Sequence, residues 1–218
     1  MKAIMISIKP KWCAKIMNGE KTIEVRKNKA LAKAIQKLIN EYEFADIYAC
    51  CSKINKKHYH LIESIDTDTG ITEYEIDYYC SSGDYLDYCY EGKVAFKFRC
   101  YKVEEIRFGT TLYLDLGFFT GELYDFDLYK QSCLTKQEIR NYLKDIYSGY
   151  AIHISDLEIF DKPKELSEFY TVGHYEDLDD CFTDEKQING KWCIPLKKAP
   201  QNMVYIEIKN STHIWYNY

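Results

Sequence analysis

The residues with the clearest capacity for chemistry fall in one run near the start, SIKPKWCAKIMNGEKTIEVRK, from Ser7 to Lys27. Eight ionic side chains and one Trp share its twenty-one residues. Strand periodicity sorts them. Ser7 and Lys9 oppose the Ile4/Ile6/Ile8 face of one segment, while Thr22, Glu24 and Arg26 oppose the Ile23/Val25 face of another. The helix between the two is short, so both polar faces are expected to converge on one cleft. Lys9, Lys21 and Arg26 suit a phosphate there, which Arg grips in bidentate fashion. Glu24 suits a donor on a base edge, such as an exocyclic amine. Trp12 offers a ring for base stacking. The competing reading is structural: Glu24 and Arg26 pair with each other, and Trp12 belongs to the buried stripe of its helix. Lys21 beside Glu24 also admits catalysis, with a lysine of depressed pKa activating water or acting as nucleophile.

Other candidates are weaker in chemistry. His153, in YAIHIS, alternates with Ile152 and Ile154 and is a candidate to line the same cleft, or else a satisfied surface or core histidine. His58 and His60 share a strand face but lack a third ligand. Cys50 and Cys51 point to opposite faces, and Cys181, Cys193 and His174 form no C-x-x-C. No metal is expected. The glycines of GTTLYLDLGFFTG match neither GxGxxG nor a P-loop, so no cofactor is expected either. Nine cysteines, an odd count without framework spacing, suit reduced thiols in a cytoplasm. Lys9 and Lys11 interrupt the first apolar run, which excludes a signal-peptide profile. No apolar run nears the ~18 residues of a membrane span.

The elements that must position these residues can be read from periodicity. A strand with one core face covers 3–9. Pro10 opens a short helix whose stripe is Trp12, Cys13, Ile16 and Met17, and Asn18-Gly19 ends it. A second strand carries Ile23 to Arg26. Residues 28–43 have helical spacing at Leu31, Ala34, Ile35, Leu38, Ile39 and Tyr42, with Lys29, Lys33 and Lys37 on another side. A buried strand spans 44–51, and two hairpin strands flank DTDTG. GKVAFKFRCYKVEEI reads as one strand. LTKQEIRNYLKDIYSG reads as a helix with a Thr135/Glu138 capping box and a stripe of Ile139, Tyr142, Leu143 and Ile146. YAIHISDLEIF reads as a strand, DKPKELSEF as a turn and short helix, and NMVYIEIK as a closing strand.

The chain of 218 residues has 46% hydrophobic residues, enough for a sizeable core. Its net charge of −5 hides an asymmetry. Residues 1–57 hold 13 Lys/Arg and 5 Asp/Glu, a net of +8; the rest hold 16 and 29, a net of −13. A basic segment on an acidic body suits a localised anion site, unless the two halves simply neutralise one another across the fold. The Lys29/Lys33/Lys37 stripe either extends a nucleic-acid backbone path or is a solvated face. The acidic, Tyr-rich stretch around Asp84, Tyr85, Asp87, Tyr88, Tyr90 and Glu91 suits a protein partner or a solvated loop.

With these motifs assigned, the opening run resembles the signature of the ASCH domain family. Gly19, Lys21, Thr22, Glu24 and Arg26 occupy the positions of its NGxKTxExR pattern. GKVAFKFRCYKVEEI resembles the family's central strand. LTKQEIRNYLKD with GYAIHISDLEIFDKPKELSEF resembles the closing segment of phage and gut-bacterial members, and KKAPQNMVYIE resembles a tail some of them carry. The resemblance implies an α+β fold: a PUA-like small β-barrel with flanking helices and a hairpin insertion. It places that domain at 1–170, with an insertion at about 28–91 and a C-terminal extension at 171–218 packed on the barrel. It also implies a cleft that binds RNA or a modified nucleoside. One branch hydrolyses acetylcytidine with a Lys, a Thr and a Glu. Lys21 matches that Lys, Glu24 stands at the Thr position, and no Glu occurs near Gln131-Ser132-Cys133.

Three functions follow as expectations. The first is a reader of RNA, nucleotide or nucleoside through the cleft of Ser7, Lys9, Trp12, Lys21, Thr22, Glu24, Arg26 and His153. The second is an amidohydrolase using Lys21 and Glu24. The third is a phage-encoded protein-interaction module acting through residues 80–91.

Overall fold

The architecture comes from a computed structural model. It describes residues 2–53, 60–65, 72–77, 90–107, 112–114, 117–119, 126–143, 148–173 and 186–208. The chain runs β1 (Lys2–Ile8), α1 (Pro10–Met17), β2 (Ile23–Arg26), α2 (Lys29–Tyr42), β3 (Ala45–Cys51), β4 (His60–Ile65) and β5 (Thr72–Asp77). It continues through β6 (Val94–Cys100), β7 (Val103–Arg107), β8 (Leu112–Leu114), β9 (Gly117–Phe119), α3 (Phe126–Ser132) and α4 (Lys136–Leu143). The last strands are β10 (Ser148–His153), β11 (Ser155–Lys164), β12 (Tyr170–Val172), β13 (Lys186–Ile188), β14 (Lys191–Pro195) and β15 (Val204–Glu207).

The main sheet has eight strands in the order β11-β6-β3-β1-β15-β12-β14-β13. β1 lies between β3, its parallel partner, and the antiparallel β15. A smaller sheet has the order β2-β10-β7. The fold is therefore α+β and dominated by sheet, but the expected barrel does not form. Among the described residues the main sheet is open, with β11 and β13 as its edges. Beyond β15 the chain adds β12, β14 and β13 in line, and this extends the sheet instead of closing it. The hairpin strands flanking DTDTG are β4 and β5, paired from His60↔Asp77 to Ile65↔Thr72.

Three apolar clusters explain the layers. The first fills the space between the two sheets, where Ile4, Ile6 and Ile8 of β1 meet Cys13 and Ile16 of α1 and Leu31, Ile35 and Leu38 of α2. Ile152 of β10 joins it. The second lies on the other side of the main sheet, around Met5, Tyr48, Cys50 and Phe160. Strand β1 is thus covered on both faces, whereas alternation predicts one, because a central strand has neighbours above and below. The third cluster joins Ile23 and Val25 to Ile139 and Leu143 of α4 and Leu128 of α3. It fixes both helices against the outer face of the small sheet.

Two long runs expected as single strands each break and change sheet. GKVAFKFRCYKVEEI divides at Tyr101-Lys102, sending β6 to the main sheet and β7 to the small one. YAIHISDLEIF divides at Ile154 into β10 and β11. Each half satisfies its backbone in a different ladder, a choice that local periodicity does not encode. DKPK likewise continues β11, and the helix expected after it is one 3₁₀ turn at Leu166–Glu168.

Local signals set the remaining ends. Asn28 caps α2 by accepting from Ala30 N at 2.8 Å and Leu31 N at 3.3 Å. Gly19 adopts φ 75° after α1, a left-handed conformation that favours glycine. At Gly149 in β10 a Cβ would lie 2.9 Å from Leu143 Cδ2 and 3.3 Å from Arg26 O, so this strand and α4 approach through a missing side chain. No helix among the described residues is long and apolar enough to cross a membrane.

Candidate functional site

Between the start of α1, strand β2 and helix α4 lies a cleft of about 300 Å³. Ser7, Lys9, Trp12, Lys21, Glu24 and Arg26 all line it. The predicted convergence of two polar strand faces is therefore present. Two expected members are elsewhere. Thr22 is exposed and does not line the cleft; its backbone bridges Gln131 O at 2.8 Å and Ile154 N at 2.9 Å. His153 pairs across the ladder with Ile23, whereas Glu24 pairs with Ile152. Facing residues of a ladder share a side, so the imidazole lies on the opposite face from Glu24. There its Nε2 is 2.6 Å from Glu104 Oε2.

At the bottom of the cleft, Lys21 is almost completely buried, with 2% exposure. Its Nζ donates to Ile23 O at 2.7 Å and Ser132 O at 2.8 Å, and it lies 3.4 Å from Glu24 Oε2. An ammonium has three hydrogens, and three acceptors surround this one. Burial pulls the Lys21 pKa below the usual lysine value, and the Glu24 carboxylate opposes that shift. The side chain ties β2 to the last residue of α3 and supplies a fixed positive charge to Glu24.

Glu24 is held between two cations. Its Oε1 is 2.9 Å from Arg26 Nε. The Nε–H is not aimed along that line, so this buried nitrogen has an ionic contact but no hydrogen bond. Arg26 Nη2 donates to Ser7 O at 2.6 Å, and Ser7 Oγ donates to Pro200 O at 2.7 Å. The structural ion pair and the cleft-lining role thus coexist. Glu24 and Arg26 are joined to each other and both still line the cleft. A carboxylate has about four lone-pair sites, so Glu24 retains acceptor capacity at the cleft.

The aromatic wall differs from expectation. Trp12 packs partly on the central core and partly lines the cleft. Its ring has Lys11 Nζ at 4.7 Å and Lys21 Nζ at 5.1 Å from the centroid, within cation–π range. Tyr142, expected in the buried stripe of α4, is 39% exposed and lines the cleft. Among the described residues the stripe is Ile139 and Leu143, at i and i+4, and Ile146 lies outside them.

Sequence reasoning did not place α4 at this site. Glu138 lines the cleft as the N3 member of the capping box, taking hydrogen bonds from Thr135 N at 2.8 Å and Thr135 Oγ1 at 3.0 Å. The Thr135 backbone bond is the main cause of its lowered pKa. Asn141, also exposed, adds an amide to the rim. The capping box was a readable signal, but nothing local linked it to β2.

The other candidates separate cleanly. Lys29, Lys33 and Lys37 are exposed along α2. Cys50 and Cys51 face different clusters, as alternation predicts. No group of three metal-ligating side chains forms among the described residues. His58, His174 and Cys181, and most of the acidic Tyr-rich stretch (80–89), lie outside the described residues.

No protein-family model matches the chain, and no curated protein matches it. Solved structures similar to it include the ASCH protein of Zymomonas mobilis, 13% identical, covering 95% of this chain and 88% of that one at a TM-score of 0.41. A serine-to-alanine variant of that protein aligns at 12% identity, covering 95% of this chain and 89% of that one, with a TM-score of 0.42. At values this low, any functional reading rests on the residues of the cleft itself.

Proposed function

We propose that this protein binds RNA or a nucleotide, holding one nucleotide unit in the cleft between α1, β2 and α4. The observation that carries the reading is the convergence of Lys9, Lys21, Glu24 and Arg26 with Trp12 and Tyr142 around one concavity. Its volume of about 300 Å³ is at the lower end of ligand pockets, the scale of one nucleotide unit. Trp12 and Tyr142 supply rings for a base. Glu24 accepts from an exocyclic amine, and Lys9 and Arg26 hold phosphate. Lys21 orients Glu24 and is not the nucleophile, because its hydrogens already face Ile23 O, Ser132 O and Glu24. This favours a reader over an amidohydrolase.

Calorimetric titration with the four ribonucleoside monophosphates and short single-stranded RNA tests the proposal. Binding is expected to saturate and to weaken as salt rises. For the exposed Lys9, the Lys9→Ala variant should flatten the salt dependence by about 0.7 in log–log slope, one phosphate contact on a single strand. Heat signals indistinguishable from buffer across the whole panel would remove the proposal.

A further inference from the structure

A second basin adjoins the cleft. It measures about 280 Å³ and is lined by Arg26, Lys27, Asn28, Leu31, Tyr142 and Asn202. The two basins meet at Arg26 and Tyr142, which line both. Their volumes are nearly equal, about 300 and 280 Å³, so each is the size of one small ligand unit. Their charge differs. In the first, Lys9, Lys21 and Arg26 face the carboxylates of Glu24 and Glu138. In the second, Arg26 and Lys27 face amides and a phenol, with no carboxylate in the lining. An anion therefore gains most at the junction and beyond it. Lys27 Nζ lies 5.6 Å from the Tyr142 ring centroid, so a cation already stands by the ring that separates the basins. The far wall is anchored to the near one. Asn202 follows Pro200, whose carbonyl accepts the Ser7 Oγ hydrogen bond at 2.7 Å, and Ser7 O holds Arg26 at 2.6 Å.

Resting on the cleft reading above, we infer that the ligand is a phosphodiester-linked strand rather than a free nucleoside: one nucleotide occupies the first basin, the bridging phosphate lies on Arg26, and the next nucleotide occupies the Lys27/Asn202 basin. Arg26 suits the bridging position. Its buried Nε pairs with Glu24 Oε1 at 2.9 Å and its Nη2 donates to Ser7 O, so both are committed within the protein and Nη1 is the nitrogen left to face a ligand. Its planar fork is thereby pre-oriented for a phosphate. Lys27 and the exposed Asn202 then act on the second unit alone.

The test compares two probe sets on the full chain: the four ribonucleosides, and the dinucleoside monophosphates ApA, CpC, GpG and UpU. The preferred dinucleoside monophosphate should bind at least about tenfold more tightly than its nucleoside, the gain of one charge-assisted phosphate contact plus a second unit. The Lys27→Ala/Asn202→Ala variant should lose that advantage and leave nucleoside affinity unchanged. Lys27→Arg should restore part of it. Equal affinity for nucleoside and dinucleoside monophosphate would overturn the inference and leave the single-unit cleft intact, as would an advantage that survives the double variant. Absence of binding by both probe sets, and by longer RNA, would remove the cleft reading and this inference together.

Discussion

Replacing Lys21 by Met tests whether the cleft is organised around a buried ion cluster. The side chain of Lys21 is 1% exposed and that of Glu24 is 8% exposed, so solvent screens their interaction little. Removing one partner of a buried pair typically costs about 3–5 kcal/mol, because the other charge is left uncompensated. Two features place Lys21→Met at the low end, about 3 kcal/mol. Arg26 remains 2.9 Å from Glu24, and the lowered Lys21 pKa means that burying the ammonium opposes its own ion pair. Equilibrium denaturation of Lys21→Met, Glu24→Gln and the double variant measures this directly. The two changes should be non-additive by about 1–3 kcal/mol, since the residues touch. Hydrogen exchange should also quicken in α3, whose last carbonyl loses its lysine. A loss under about 1 kcal/mol, or strict additivity, would mean that no buried ion cluster organises the cleft. The pH dependence has a definite sign. The folded chain releases the Lys21 proton at a lower pH than the unfolded chain does. Between the folded value and 10.5 the unfolded state therefore binds more protons, and stability rises with pH relative to Lys21→Met.

Three further outcomes are expected. Thr135→Ala removes the cap of α4 and should cost about 1 kcal/mol in denaturation; the folded Glu138 pKa lies below its ordinary 4.5, so the carboxylate's contribution is present above that value and fades as pH falls through the folded pKa. In binding assays cytidine should exceed uridine about tenfold, because only cytidine offers Glu24 an exocyclic amine, a charge-assisted bond; equal affinities would exclude that contact. Under a thiol-alkylating reagent, native Cys13, Cys50 and Cys100 should stay unmodified, since burial pushes the last two up to about 12 and about 11 and Cys13 well above the ordinary value. The half-buried Cys133 should react before them, as peptide mapping would show.

The division of the opening run into core and cleft sets was legible because it depends on strand parity, a local property. Ile23 and Val25 enter the outer cluster, and Glu24 and Arg26 line the cleft, as alternation requires. Relations between strands were less accessible. Alternation alone leaves His153 open between lining the cleft and being a satisfied histidine; the register against β2 decides its face, and that register sets Ile152 opposite Glu24. The breaks at Tyr101-Lys102 and Ile154 lack Gly or Pro, so nothing in the sequence marks a change of sheet. Alternation puts Met5 with Ser7 on the side of β1 opposite Ile4, Ile6 and Ile8, and only the second cluster explains its burial. The contributions of Glu138, Asn141 and Tyr142 required knowing that α4 leans on β2, an approach Gly149 permits.

The most direct measurement is a ¹H–¹⁵N NMR titration of the protein with cytidine 5′-monophosphate, followed at the Trp indole and Arg Nε–H signals. Trp12 lines the cleft, whereas Trp192 is 58% exposed on β14 and serves as an internal control. Saturable shifts of the Trp12 indole, the Arg26 Nε–H and the backbone amides of 23–26, with the Trp192 indole unmoved, are the predicted result. Shifts confined to Trp192 and its neighbours, or none at millimolar ligand, would contradict the account.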